Sequence, residues 1–273
     1  MATKNRVIID TDPGVDDVLA LLLALSAAPE ELQVELISVT YGNVDVQNCL
    51  RNVVSLFHQI DKEMVWRREN GIPEGFNMLK IKKPLVAVGA EQPLADQMMM
   101  ADFFHGVDGL GGIHATHPHL TPQDTWKDLF QKTVASLDPD EAALAREISG
   151  SQQRLFIPSR QPAHLEILRV LRENETDTIT LVAIGPLTNL ATAAATDPET
   201  FLRAKEVVVM GGAIDEAGNV NPHPPTLNNP HVPCPPFHLI KQPPTPLRAS
   251  LNLRNQITPT AGAPVVSANN HLI

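Results

Sequence analysis

The sequence predicts an α/β protein: an open, mostly parallel, Rossmann-like sheet with helices on both faces. Three observations carry that prediction. Short β-branched runs alternate along the chain with amphipathic stretches. The runs are nearly continuously apolar, as strands covered on both faces are. The first run also ends in a tight acidic turn that leads straight into a helical pattern, RVIIDTDPGVDDVLALLLAL.

Taken in order, Arg6–Thr11 reads as the first strand, and Val15–Ala27 as the helix that follows the Pro13-Gly14 turn, with acidic residues in its first turn. Val34–Tyr41 is the second strand and Val44–Ile60 the second helix, its apolar residues recurring at helical spacing. Leu85–Gly89, Ile179–Ile184 and Glu206–Met210 are further apolar strands. Pro162–Glu173 and Leu187–Ala195 are helices, the latter opened by Gly185-Pro186 and filled with good helix formers. The segment Gln97–Arg160 has clustered glycines near its start and little periodicity, so a lid or insertion is expected there.

Composition bounds the function. The 273 residues carry a net charge of −10 and few aromatic side chains, which argues against nucleic acid as a partner. The 2 cysteines, Cys49 and Cys234, are too few for a disulfide scaffold and fit a reducing compartment. No apolar run is long enough for a membrane span, and the first residues lack a signal-peptide pattern, so a soluble, cytoplasmic protein is expected. From His223 to Ile273 there is no acidic residue, prolines are dense, and neither hydrophobic period is present. The expected organisation is an α/β body over 1–222 and a proline-rich, disordered or aberrant tail over 223–273.

The most informative residues are Asp10, Asp12, Asp16 and Asp17 in DTDPGVDD. Asp10 and Asp12 fall on one side of the end of a strand, and Asp16 and Asp17 enter the next helix. Ligand sites of open α/β sheets form at this carboxyl edge. Carboxylates this close repel one another unless a cation joins them, and oxygen donors without nearby His or Cys favour Ca²⁺ or Mg²⁺. The plainer alternative makes Asp16 a helix cap, Asp17 a partner of the helix dipole, and the remainder a solvated turn.

With DTDPGVDD after a buried strand, the chain resembles the nucleoside hydrolases of the inosine–uridine-preferring type. The resemblance continues through Thr40-Tyr41-Gly42-Asn43, His105-Gly106-Val107-Asp108-Gly109-Leu110-Gly111 and Ala183-Ile184-Gly185-Pro186-Leu187-Thr188-Asn189. It ends with Met210-Gly211-Gly212 and Gly218-Asn219-Val220-Asn221-Pro222, and the stretches around Trp66–Phe76 and Gln97–Arg160 look like fungal members. The resemblance implies calcium-dependent hydrolysis of the N-glycosidic bond of a small-molecule ribonucleoside, with homo-oligomers common. By motif position it implies that Asp12 binds Ca²⁺ and serves as general base, with Asp17 and the carbonyl of Ile184 as further metal ligands. Asp16, Asn43, Met210 and Asn219 would contact the ribose, and Asp10 would orient its neighbours. His105 would meet the nucleobase when its loop closes, or be an ordinary loop histidine.

The chain departs from the family pattern after Pro222. Pro225 falls where the family has a ribose-binding Glu, and no acidic residue follows Glu216, so the family's late His-Asp pair has no counterpart. The fold is therefore expected to be truncated at its C-terminal end and the activity impaired, with residues 223–273 arising from a frame change or a retained intron. Two other readings remain open: an inactive remnant or binding protein, and a phosphatase using Asp10 as nucleophile and Asp12 as acid/base. HATHPH over 114–119 has a zinc-like histidine spacing, but Pro118 breaks any helical face and a polar loop accounts for it. Pro243–Arg248 fits a P-x-x-P ligand for an aromatic groove.

Overall fold

A computed structural model describes residues 5–94, 99–122, 124–130, 155–211 and 221–222. Asn219, Cys234, the proline motif at 243–248 and the whole expected tail lie outside the described residues. In chain order the elements are β1 Asn5–Thr11, α1 Val15–Ser26, β2 Leu32–Val39, α2 Val46–Glu69, α3 Asn77–Ile81, β3 Leu85–Val88, β4 Met99–Met100, α4 Asp102–His105 and α5 Ile113–Thr116. After two short 3-10 turns come β5 Ile157–Pro158, α6 Ala163–Glu173, β6 Ile179–Ala183, α7 Thr188–Thr196, α8 Pro198–Phe201, β7 Glu206–Val209 and β8 Asn221–Pro222.

Six strands form one parallel sheet in the order β5-β3-β2-β1-β6-β7, and β4 pairs antiparallel with β8 apart from it. The chain runs outward from β1 on one side, through β2 and β3 to β5, and then resumes on the other side with β6 and β7. The direction of winding thus reverses between β1 and β6, and such a switch opens a crevice at the carboxyl edge. β1 ends there with Asp10 and Thr11.

Alternation along the strands splits the interior into two cores. Val7, Ile9, Ile37, Val39 and Val86 pack with α1 and α2 residues such as Leu21, Leu25, Val53 and Phe57. Ile8, Leu36, Ala87, Leu181 and Ala183 pack on the opposite face with Ile167 and Leu171 of α6 and Leu190 and Ala193 of α7. Helices therefore cover both faces, and the apolar runs of the sequence have the reason assigned to them.

The strand and helix bounds follow the sequence closely, with two differences. α2 starts at Val46, because Asp45 is extended and its side chain accepts from the Gln47 and Asn48 amides at 3.0 Å as a cap. It also runs on to Glu69, beyond the expected end at Ile60. Met64 continues the buried stripe of Val53, Phe57 and Ile60, and an Arg67–Glu63 pair at 2.7 Å supports the last turns. The sixth strand, β5, is two residues long and sits inside the segment expected to be a lid or insertion. Its pairing with β3 is non-local, so no local pattern announces it.

At the amino end of the sheet, β2 bulges. Val34 stands opposite Val7 and Leu36 opposite Ile8, leaving Glu35 as the extra residue. Glu35 is only 4% exposed. Its carboxylate accepts from Arg6 Nε and Gln33 Nε2, both at 2.6 Å, and is paired with Lys82. Arg6 in turn donates to Asn174 Oδ1 at 2.7 Å. Burial alone pushes the Glu35 carboxyl up, but its hydrogen bonds and charge contacts with Arg6 and Lys82 prevail and hold it below the usual carboxylate value.

Glu35→Ala should therefore lower stability by about 2 kcal/mol in urea unfolding, toward the modest end because Arg6 and Lys82 keep some solvent. A carboxyl lowered in the folded state stabilises above the ordinary carboxylate range and loses that contribution as pH falls through the folded value. The wild-type advantage over Glu35→Ala should shrink accordingly on acidification. An unfolding midpoint indifferent to the substitution would contradict this account.

Candidate active site

The carboxyl edge of β1 carries the acidic turn, and the structure folds it inward. Asp10, Asp12 and Asp17 are buried, Asp12 to 1% exposure, while Asp16 is partly exposed. Pro13-Gly14 closes the turn, and α1 begins at Val15 so that Asp16 and Asp17 occupy its first turn. Asp17 Oδ1 accepts from the Thr11 hydroxyl at 2.7 Å, and its Oδ2 from the Gly14 amide at 3.3 Å.

Asn43, just beyond β2, ties the turn to the next strand. Its amide N–H donates to Asp12 Oδ2 at 2.7 Å. Its side-chain Nδ2 donates to the Asp12 carbonyl at 2.9 Å and to Asp17 Oδ2 at 3.0 Å. From the other side, the Ile184 amide donates to the Asp10 carbonyl at 2.8 Å, and the next residue, Gly185, lies against Asp12. A Cβ on Gly185 would stand 2.6 Å from Asp12 Oδ1, and one on Gly42 would stand 2.0 Å from Oδ2. Two glycines thus let neighbouring strands close on one carboxylate.

Asp10 faces the other layer. Its Oδ1 accepts from Ser38 Oγ and, at 2.9 Å, from Asn189 Nδ2 on α7. Asn189 Oδ1 accepts from the Ala90 amide at 2.8 Å, so this one side chain stitches the ends of β1, β2 and β3.

Electrostatics mark the same place. Burial pushes the Asp10 carboxyl up to about 7 against the hydrogen bonds of Ser38 and Asn189. Burial and the neighbouring Asp16 push Asp17 up to about 7. Asp12 is raised well above the ordinary value, first by burial and then by the charge of Asp17. Among the described residues, Asp10 Oδ2, Asp12 Oδ1 and Asp16 Oδ1 are buried with no hydrogen-bond partner. Unpartnered anionic oxygens in a like-charged cluster fit a hard cation, which supplies the missing charge and accepts oxygen donors. Among the described residues, no group of three or more His, Cys, Asp or Glu side chains forms a ready-made cage.

His105 ends α4 and is only 2% exposed. Its Nδ1 accepts from the Val15 amide at 3.3 Å, and Nε2 stands 3.9 Å from Asp16 Oδ1. An acceptor Nδ1 requires a neutral ring, consistent with burial lowering the imidazole value against the pull of Asp16. The ring packs on the turn itself, where a Cβ on Gly14 would lie 2.5 Å from Nδ1. Met210 sits at the end of β7, half-buried, its amide donating to the Ala183 carbonyl at 2.9 Å. The structure therefore gathers Asp12, Asp16, Asp17, Asn43, His105 and the Ile184–Gly185 backbone at one edge, with Asp10 beneath and Met210 two strands away from Asp12.

The histidines of HATHPH do not converge. His114 turns inward, with its ring nitrogens on Asn52 and Thr121, while His117 and His119 are exposed. Cys49 is fully buried on α2 and its thiol is pushed up by burial, as expected of a small packed side chain. Sequence reasoning passed over Ser38, Asn52, Asp108 and His114 as parts of the site and gave Asn189 no role. Asn189 and Asp108 stand inside motif blocks, which was their only signal. The described residues contain no helix long and apolar enough to cross a membrane.

A family profile described as "Inosine-uridine preferring nucleoside hydrolase" matches residues 7–226. Over 219 residues the chain is 29% identical to "Probable uridine nucleosidase 2" of Arabidopsis thaliana, covering 80% of this chain and 51% of that protein. Over 216 residues it is 31% identical to "Pyrimidine-specific ribonucleoside hydrolase RihA" of Klebsiella pneumoniae, covering 79% of this chain and 50% of that one. Among solved structures, "Inosine-Guanosine Nucleoside Hydrolase (IG-NH)" is 26% identical, with a TM-score of 0.48 over 80% of this chain and 52% of that chain. The chain spans about half the length of the curated relatives it matches. Enzymes of the matched family are in general metal-dependent. With the match running through the buried acidic turn and both strands beside it, the chain belongs to the inosine-uridine preferring nucleoside hydrolase family.

Proposed function

We propose that this chain binds a ribonucleoside at the acidic turn and hydrolyses its N-glycosidic bond, giving ribose and the free base. The observation that carries this reading is a buried carboxylate cluster at the winding reversal of the sheet, with oxygens of Asp12 and Asp16 left without partners among the described residues. Asp12, Asp17 and the carbonyl of Ile184 would hold a calcium ion. When bound, calcium offsets the charge of the carboxylates and grips the hydroxyls of the sugar.

Asp12 takes a proton from the attacking water as the oxygen bonds to the anomeric carbon and the carbon–nitrogen bond breaks, with the electron pair leaving on the base. The transition state is oxocarbenium-like, so holding the ribose rigidly matters as much as the proton transfer. Asp16 and Asn43 bind ribose hydroxyls, Met210 and Asn219 contact the sugar, and His105 faces the base. Asp10 fixes the strand ends beneath them. The two glycines at the Asp12 carboxylate support this assignment, because a side chain at either would meet that carboxylate first. The protein is cytoplasmic in this reading and its partner a small-molecule ribonucleoside.

Turnover by this 273-residue chain is slow in the same reading. Pro225 stands where the resemblance implies a ribose-binding carboxylate.

Ribose release from uridine and inosine, assayed with added calcium, tests the proposal. Slow release is expected from the wild type, falling about 10²-fold or more in Asp12→Asn with an unchanged circular dichroism spectrum. Full activity in Asp12→Asn, or no release by the wild type at any calcium level, would overturn it. Gly185→Ala should displace the Asp12 carboxylate and weaken calcium binding in a calorimetric titration, at a stability cost of about 1–3 kcal/mol. Unchanged calcium affinity in that variant would detach Asp12 from the cation.

A further inference from the structure

Asn52 lies on the buried side of α2 and is no part of the acidic turn, yet it touches both halves of the site. Its Nδ2 donates to the carbonyl of Pro13 at 2.8 Å and to that of Asp108 at 2.9 Å. Pro13 belongs to the carboxylate turn, and Asp108 to the glycine loop that follows His105. With both amide hydrogens spent, Oδ1 is left to accept, and His114 Nε2 stands 2.6 Å from it. That contact assigns the His114 tautomer: Nε2 carries the proton, and Nδ1 accepts from the Thr121 hydroxyl at 2.5 Å.

The loop is built to meet this side chain. Asp108 Oδ1 accepts from the Leu110 and Gly112 amides at 2.9 and 2.8 Å, and Oδ2 from the His114 amide at 3.0 Å. Gly109 has φ +82, and a Cβ there would stand 2.7 Å from Asn52 Nδ2 and 3.2 Å from the Pro13 carbonyl. Two further contacts close the same seam: the Ala101 amide on the Asn43 carbonyl at 3.2 Å, and the Val15 amide on His105 Nδ1. Farther along α2, Gln59 Nε2 and Lys62 Nζ donate to the Leu120 and His119 carbonyls. Of these α2 residues, Asn52 alone bonds to the turn as well as the loop.

We propose that Asn52 is a positioning residue, oriented by His114, whose amide clamps the Pro13 carbonyl to the Asp108 carbonyl and so holds the carboxylate turn and His105 as one unit. It touches neither cation nor sugar and acts through the direction it gives Asp12, Asp16 and His105. The inference rests on the proposed reading of the turn as the cation and sugar site.

The test uses the full chain with two readouts that need no turnover: amide hydrogen exchange, and terbium luminescence as a probe of hard-cation binding. Asn52→Asp keeps the shape but turns a carboxylate toward two carbonyls. Exchange at the amides of Val15, Leu110, Gly112 and His114 should quicken at least about 10-fold while β1, β2 and β6 stay protected, and terbium affinity should fall by a similar factor. His114→Gln retains a donor toward Asn52 Oδ1 and should restore most of the protection that His114→Leu loses, which simple packing would not do. Unchanged exchange or unchanged terbium affinity in folded Asn52→Asp overturns the proposal, as does equal behaviour of the Gln and Leu variants. Should Asn52→Asp fail to fold, the contrast between the two His114 variants decides. A wild type that binds no terbium sinks the cation reading, while the exchange arm still decides whether Asn52 clamps the loop.

Discussion

The structure depends on holding like charges together inside a protein. Asp12 and Asp17 are buried at the end of β1 with Asp16 beside them, and each raises the cost of ionising the next. The fold meets that cost with backbone and amide donors drawn from three directions: Asn43 from beyond β2, Gly14 from the turn, and Thr11 from the strand itself. Among the described residues, these donors leave Asp12 Oδ1 and Asp16 Oδ1 unanswered. A scaffold that satisfied every oxygen would be more stable and would have no reason to take up a cation.

The parallel sheet is what makes the gathering possible. Because β1 sits between β2 and β6, the residues following all three strands converge at one edge. The Asp10 carbonyl on the Ile184 amide and the Thr11 carbonyl on the Thr40 amide continue the ladder into the turn, so the site inherits the rigidity of the sheet. Beneath it, Asn189 locks three strand ends with one amide group, and Gly89 leaves the space that amide fills.

Much of this was legible in the sequence, for identifiable reasons. The parallel strands gave continuous apolar runs because both faces are covered, α6 gave a clear period because it covers one face, and α1 and α7 were marked by the turns that open them. The acidic turn stood out because four carboxylates in so short a span have no structural use for all of their charges. The residues that position the turn were not legible. Asn52 sits among apolar neighbours on α2, and His114 lies in a stretch whose histidine spacing drew attention to a metal instead. Their value comes from contacts across 39 and 62 positions of chain, which no local pattern encodes. Similarly, β5 is visible only through the strand it pairs with.

The bulge at Glu35 has a consequence for how this protein tolerates change. The additional residue shifts the register by one at Glu35, and beyond it the pairing runs uninterrupted from Ile8 and Leu36 to Asp10 opposite Ser38. The Glu35 cluster lies at the amino-terminal rim and the carboxylate turn at the far rim, with the apolar residues Val7, Ile8 and Ile9 of β1 between them. Evolution or an engineer can retune the first rim for durability while the second keeps its geometry, since among the described residues no side-chain hydrogen bond joins the two.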